Sequence, residues 1–209
     1  MTLTFVYISG VMSKVIYDRS FPRFDAPNQA LSAMLFHEDM SPDYTHEAID
    51  FTSGDNTLKG YAYHQEDAED LVVIAHGLGG GAESYLSQAS WFLNQGYSVF
   101  MYDGTGSFHS EGKSTKGFPQ SLLDLDAALT FIKDHDTFST LNLFVFGHSW
   151  GGYAAINILD SHDDIVAVVS ASAPAHANEM IYEQAHHALG VFSITQRPFL
   201  SLYQRFLFG

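Results

Sequence analysis

The chain has no cysteine, which removes disulfides, thiolate nucleophiles and thiolate metal centres together. Basic residues are scarce. Nine Lys and Arg stand against 24 Asp and Glu, a net charge of −15, and none falls between Lys133 and Arg197. A chain that acidic repels phosphate backbones and anionic headgroups, so neither nucleic acid nor a membrane is an expected partner. No apolar run is long enough to span a bilayer. Met1 to Met12 is apolar but lacks a basic start and a small-residue cleavage site. It does not read as a secretion signal, and the expected location is cytoplasmic. The eleven histidines are scattered apart from the pair His186-His187, and no H-E-x-x-H occurs. No metal and no other cofactor is expected. Internal repeats and low-complexity segments are missing too.

What is present suits one domain, since 209 residues at 46% hydrophobic content can bury a core. Residues 1–46 read as an irregular strap, broken by Pro22, Pro27 and Pro42. Glu47–Phe51 and Thr57–Tyr63 read as a hairpin through Ser53-Gly54-Asp55-Asn56. Leu71–Ala75, Tyr97–Tyr102, Asn142–Phe146 and Ile165–Ser170 are short apolar runs of the kind that fill strands buried on both faces. Helical stretches separate them: Ser84–Gln95, Pro119–His135 and Gly152–Asp160. In the second of these, Leu122, Leu125, Ala128, Leu129 and Ile132 recur at three- and four-residue steps. Strands alternating with helices call for a parallel sheet covered on both faces.

Gly147-His148-Ser149-Trp150-Gly151 sits where one of those strands passes into a helix. A G-x-S-x-G sequence in that setting is a nucleophile elbow. The serine takes a strained backbone conformation that lifts its hydroxyl clear of the sheet. Gly147 and Gly151 remove side chains that would collide where strand and helix approach. The helix N-terminus directs unpaired N–H groups at the centre where negative charge develops. A second glycine-rich turn, His76-Gly77-Leu78-Gly79-Gly80-Gly81, follows another buried strand. It lacks the G-x-x-x-x-G-K-[ST] of a phosphate loop. Its geometry suits an oxyanion hole, with one N–H from Leu78 and one from Trp150. His76 and Gly77 read as bracing that loop, and His148 as packing beside the serine. Asp103 reads as binding its own turn, and Asp124 and Asp126 as carboxylates favoured at a helix start.

From about Glu47 to Pro174 the chain resembles the α/β-hydrolase superfamily, in particular its esterase, lipase and serine-aminopeptidase-like members. The matching landmarks are His76-Gly77, then Asp103-Gly104-Thr105-Gly106 with Ser110-Glu111-Gly112, then Gly147 to Gly152, in the family's order. The resemblance implies a mostly parallel sheet with helices on both faces. It also implies a serine nucleophile at Ser149, cleaving an ester, thioester or amide of a small acyl substrate. In this family the acid follows a later strand and the histidine a final one. No further apolar strand follows Ile165–Ser170. Asp160, Asp163 and Asp164 fall at the wrong end of it. Glu179, Glu183, His186 and His187 share one helical stretch, Ala177 to Leu189, and a base there or at His176 would need unusual geometry to line up behind a serine in another layer.

The sequence therefore reads as an α/β-hydrolase fold truncated after about the sixth strand. Residues 47–174 form the core, and 175–209 start a helical cap. The apolar tail, with Phe192, Ile194, Phe199, Leu202 and Phe206, should cover a pocket or join two copies into a homo-oligomer. The competing readings are an inactive relic and a non-catalytic binding module on the same fold.

Overall fold

Residues 47–63 fold into a hairpin of β1 (Glu47–Ser53), where burial alternates at Phe51 and Ser53, and β2 (Asn56–Tyr63), whose second half is buried on both faces. Its two-residue turn is possible because Gly54 takes φ +57°, which costs glycine nothing sterically. The computed structural model describes residues 2–176 and 178–208. Four more strands follow: β3 (Asp70–Ala75), β4 (Ser98–Tyr102), β5 (Asn142–His148) and β6 (Ile165–Ala171). The sheet order is β1-β2-β4-β3-β5-β6. β2 meets β4 antiparallel, and β4, β3, β5 and β6 are mutually parallel. The mostly parallel sheet agrees with the alternation of strands and helices, and its antiparallel opening pair with the hairpin expected at residues 47–63.

Helices cover both faces. α2 (Leu86–Asn94) lies on one, extended upstream by a 3-10 turn at Ala82–Tyr85. It packs Leu86, Ala89 and Leu93 against Val72, Ile74, Val99 and Met101. α3 (Phe118–Lys133) and α4 (Trp150–Asn157) lie on the other. Leu125, Ala128, Leu129 and Ile132 there meet Leu71, Val73, Phe100 and Val145. The central strands are buried on both sides, hence their continuous apolar runs. β6 pairs only with β5 among the described residues, and Val166 and Val169 stay more than half exposed.

The irregular strap expected for residues 1–46 needs correction. α1 (Thr2–Ser20) is a regular helix. Its inward stripe is Ser9, Ser13 and Tyr17, at four-residue steps. Two of those three are small and polar, while its outer surface is apolar, so the hydrophobic pattern hides the period. Only the stretch after Ser20 is a strap, with 3-10 turns at Gln29–Leu31 and His37–Asp39. Arg23 staples it down by donating to the carbonyls of Phe108, Ser110 and Gly112.

α5 (Glu179–Leu189) and α6 (Ser193–Phe208) close the described chain. Ala177, where the sequence reading starts the first of them, lies outside the described residues. Ile181, Ala185 and Leu200 join Tyr17, Phe21, Phe118 and Trp150 in one cluster. That cluster ties α1, α5 and α6 to the end of the sheet that carries Ser149.

Candidate active site

Ser149 links β5 to α4 with φ +52° and ψ −109°, a conformation that non-glycine residues adopt only under constraint. The constraint is visible on both sides. The Ser149 N–H donates to Ala171 O of β6 at 2.8 Å, and the Ser149 carbonyl accepts from Tyr153 at 2.9 Å. Any Cβ at Gly147 would overlap the Gly151 carbonyl and Ala155, and one at Gly151 would overlap the carbonyls of Ala75 and His76. The Gly151 N–H donates instead to His76 O at 3.0 Å, which locks α4 onto the end of β3. Strand, turn and helix thus approach at backbone distance only because both positions are glycine.

Trp150 opens α4 and is buried. Its indole N–H donates to Gly117 O at 3.0 Å and its carbonyl accepts from Ser121 Oγ at 3.1 Å, so the residue is pinned by α3. Among the described residues no acceptor engages the Trp150 backbone N–H or the Leu78 N–H. Free N–H groups in the first turn of a helix are expected, since the helix has no acceptors for them.

The Gly77–Gly81 turn is fixed from three directions. Tyr85 Oη accepts the Gly77 N–H at 2.9 Å and pairs with His148 Nδ1 at 2.7 Å. A Cβ at Gly77 would press on both partners at 3.0 Å. His76 Nδ1–H donates to Gly77 O at 2.8 Å, and Nε2 accepts the Gly104 N–H at 2.8 Å. Both bonds need the neutral ring, and burial holds its pKa below the ordinary histidine value. Asp103 Oδ1 takes the Ala82 N–H at 2.7 Å, and Oδ2 takes the His109 N–H at 3.1 Å. So Asp103 binds its own turn, as the sequence suggests, and also anchors the far end of the glycine-rich loop.

Asp124 is more than a helix-start carboxylate. It is fully buried and accepts from Ser53 Oγ, Gln120 Nε2 and both the N–H and the hydroxyl of Thr105. Burial raises its pKa, and these donors oppose the rise. The Gly104-Thr105 turn, His76 and Trp150 pack beside it, with the His76 and Trp150 rings tilted and 5.6 Å apart. Only tertiary contacts reveal this buried brace, because Ser53 and Thr105 are distant in sequence from Asp124.

The turn and the serine border one cleft of about 460 Å3, lined by Gly77, Leu78, Gly79, Gly80, Ser84, Tyr85, Gln88, Phe146, His148 and Ser149. None of these side chains is a carboxylate or a Lys/Arg cation. The structure thus brings Ser149, Leu78, Gly77 and His148 to one cleft, with His76, Gly147, Trp150 and Gly151 directly behind. Among the described residues no histidine nitrogen bonds Ser149 Oγ. His162 is buried against Asp126 and Lys133 instead, and Lys133 also pairs with Asp164. His186 reaches Ser193, and His187 lies 3.9 Å from Glu183. No group of three metal-ligating side chains forms among the described residues. Nor is any described helix long and apolar enough to cross a membrane.

Solved structures share this architecture. The esterase Pf2001 of Pyrococcus furiosus superposes with a TM-score of 0.64 at 22% identity, over 88% of this chain and 69% of that one. The α/β hydrolase GrgF from Penicillium sp. sh18 gives 0.59 at 17% identity, over 74% of this chain and 54% of that one. A thioesterase domain from the curacin biosynthetic pathway gives 0.54 at 20% identity, over 65% and 47% respectively. Identities this low establish the fold and leave the substrate open. Among curated proteins, no sequence matches this chain. The family model described as "Serine aminopeptidase, S33" matches residues 66–203, which include all six of the residues from His76 to Gly81 and the whole Gly147–Gly151 turn. That span is well over half of the chain, and with the six-stranded sheet it establishes that the chain belongs to the serine aminopeptidase (S33) family of α/β hydrolases.

Proposed function

We propose that this protein is a serine hydrolase in which Ser149 takes an acyl group from an ester, thioester or amide of a small neutral or apolar substrate. The observation that carries the reading is the positive φ of Ser149 on a turn that two glycines make possible. Strain of that kind persists only where the surroundings over-determine it, and it commonly serves chemistry. In this reading Ser149 Oγ attacks the carbonyl carbon and its proton passes to a histidine base. The carbonyl oxygen becomes an oxyanion held by the Leu78 and Trp150 N–H groups. Collapse expels the alcohol, thiol or amine, which takes that proton, and water then hydrolyses the acyl-enzyme.

An uncharged cleft in a chain of net charge −15 favours a neutral acyl group over an anionic one. The esterase and thioesterase names of the structural neighbours agree with carbonyl chemistry. We assign the histidine and its acid to sequence outside these 209 residues. Residues 47–174 are then the hydrolase core of a cytoplasmic enzyme, and 175–209 the start of its cap, joined by α1.

The lack of a histidine at Ser149 among the described residues favours a second reading, an inert relic or a binding module. A fluorophosphonate probe separates the two. Labelling of Ser149 in folded protein, lost in Ser149→Ala, supports the hydrolase. Folded protein that stays unlabelled refutes catalysis by this chain alone, and esterase turnover surviving Ser149→Ala refutes the assignment of the nucleophile.

A further inference from the structure

The net charge of −15 averages two unlike surfaces. α1 and α6 together hold four basic residues, Lys14, Arg19, Arg197 and Arg205, against the single acid Asp18, a net +3. The rest of the chain therefore carries −18 of the total −15. The same two helices, with Phe192 just before α6, also expose large apolar side chains. Leu3 is 87% exposed, Tyr7 74%, Phe192 72% and Phe206 82%, with Val6 and Val11 near half. Contacts on their inward faces hold the two helices together. Gln196 Nε2 donates to Ser9 Oγ at 3.2 Å, and the Tyr17 and Tyr203 rings lie 5.4 Å apart. The helices therefore run side by side in the same direction. The apolar first turns of α1 lie at the end where Phe192 and the start of α6 lie.

We propose that the α1–α6 face docks on a phospholipid surface that contains anionic lipid, with the apolar turns sunk among the acyl chains and the basic residues at the headgroups. Contiguous exposed apolar surface marks an interaction site. An apolar ridge joined to positive charge on an otherwise acidic protein fits an anionic bilayer. It fits a second copy less well, because two such faces would bring +3 against +3. The helix lies in the interface and does not span, consistent with the lack of a membrane-crossing helix among the described residues. The proposal does not rest on the role of Ser149.

The test is co-sedimentation with vesicles of equimolar phosphatidylcholine and phosphatidylserine, alongside sedimentation of the lipid-free protein. The wild type should bind, and Val6→Glu/Phe192→Glu should bind at least about tenfold more weakly. Both side chains lie outside the buried clusters, and Leu3→Glu serves as a further exposed variant should the pair impair folding. Wild-type protein left in the supernatant at every lipid concentration would overturn the proposal. So would undiminished binding by the variants. A lipid-free dimer that the substitutions convert to monomer would assign the face to a second copy instead.

Discussion

Tyr85 Oη stands between two partners of the candidate site, 2.9 Å from the Gly77 N–H that it accepts and 2.7 Å from the His148 Nδ1 with which it shares a hydrogen bond. One hydroxyl on the 3-10 turn before α2 thereby couples the glycine-rich loop after β3 to the residue before Ser149.

Tyr85→Phe should separate that coupling from packing. The ring stays and the hydroxyl goes, leaving a buried N–H and a ring nitrogen without partners. Loss of about 1–3 kcal/mol is expected, readable as a lower urea midpoint at unchanged slope. Fluorophosphonate labelling of Ser149 should slow in parallel. A stability unchanged from wild type would mean that water replaces the hydroxyl.

Ser149→Gly should act in opposite directions on stability and reactivity. Glycine adopts φ +52° without the steric penalty that serine bears. Relief of about 1 kcal/mol or more is expected, with labelling abolished. Chemical denaturation alongside the probe checks both. A destabilised variant would mean that the Ser149 side chain makes stabilising contacts in the cleft.

The glycines divide by surroundings. At Gly151 a methyl would overlap two carbonyls of the β3 end, so Gly151→Ala should cost about 3 kcal/mol or more. At Gly10, inside α1, nothing lies within 4 Å of an added Cβ. Gly10→Ala should stabilise by about 0.5–1 kcal/mol. Thermal unfolding of the two variants should move in opposite directions.

His37 makes the strap sensitive to acid. Its ring stacks 4.3 Å from His46, bonds Tyr63 Oη through Nδ1 at 2.6 Å, and its backbone N–H donates to Glu83 at 3.2 Å. Burial, with the neighbouring His46, lowers its pKa from 6.5 to about 4. Between those values the unfolded chain binds a proton that the folded chain refuses, so stability rises with pH there. This contribution is complete above pH 6.5 and is lost as pH falls toward 4. Unfolding of His37→Gln across that range should show a shallower slope than wild type. An equal slope would assign the acid loss to other groups.

Much of the fold was legible in the chain. Buried parallel strands carry unbroken apolar runs, so Leu71–Ala75 and Asn142–Phe146 stood out, and the periodicity of Leu125, Ala128, Leu129 and Ile132 marked α3. Gly147 and Gly151 were legible because a close backbone approach tolerates no other residue. α1 was not, since its buried stripe of Ser9, Ser13 and Tyr17 reverses the usual contrast between an apolar inside and a polar outside.

Local chemistry alone determined the strand–helix alternation, the two glycine-rich turns and the position of Ser149 between strand and helix, because each depends on residues close together in sequence. Tertiary structure decided the rest. It joined Tyr85 to His148, Asp124 to Ser53 and Thr105, and α1 to α6, pairs separated by 19 to nearly 200 residues. Hydrogen bonds and packing of that range leave no periodic trace, since a buried polar group needs a partner in space and is indifferent to where the chain supplies it.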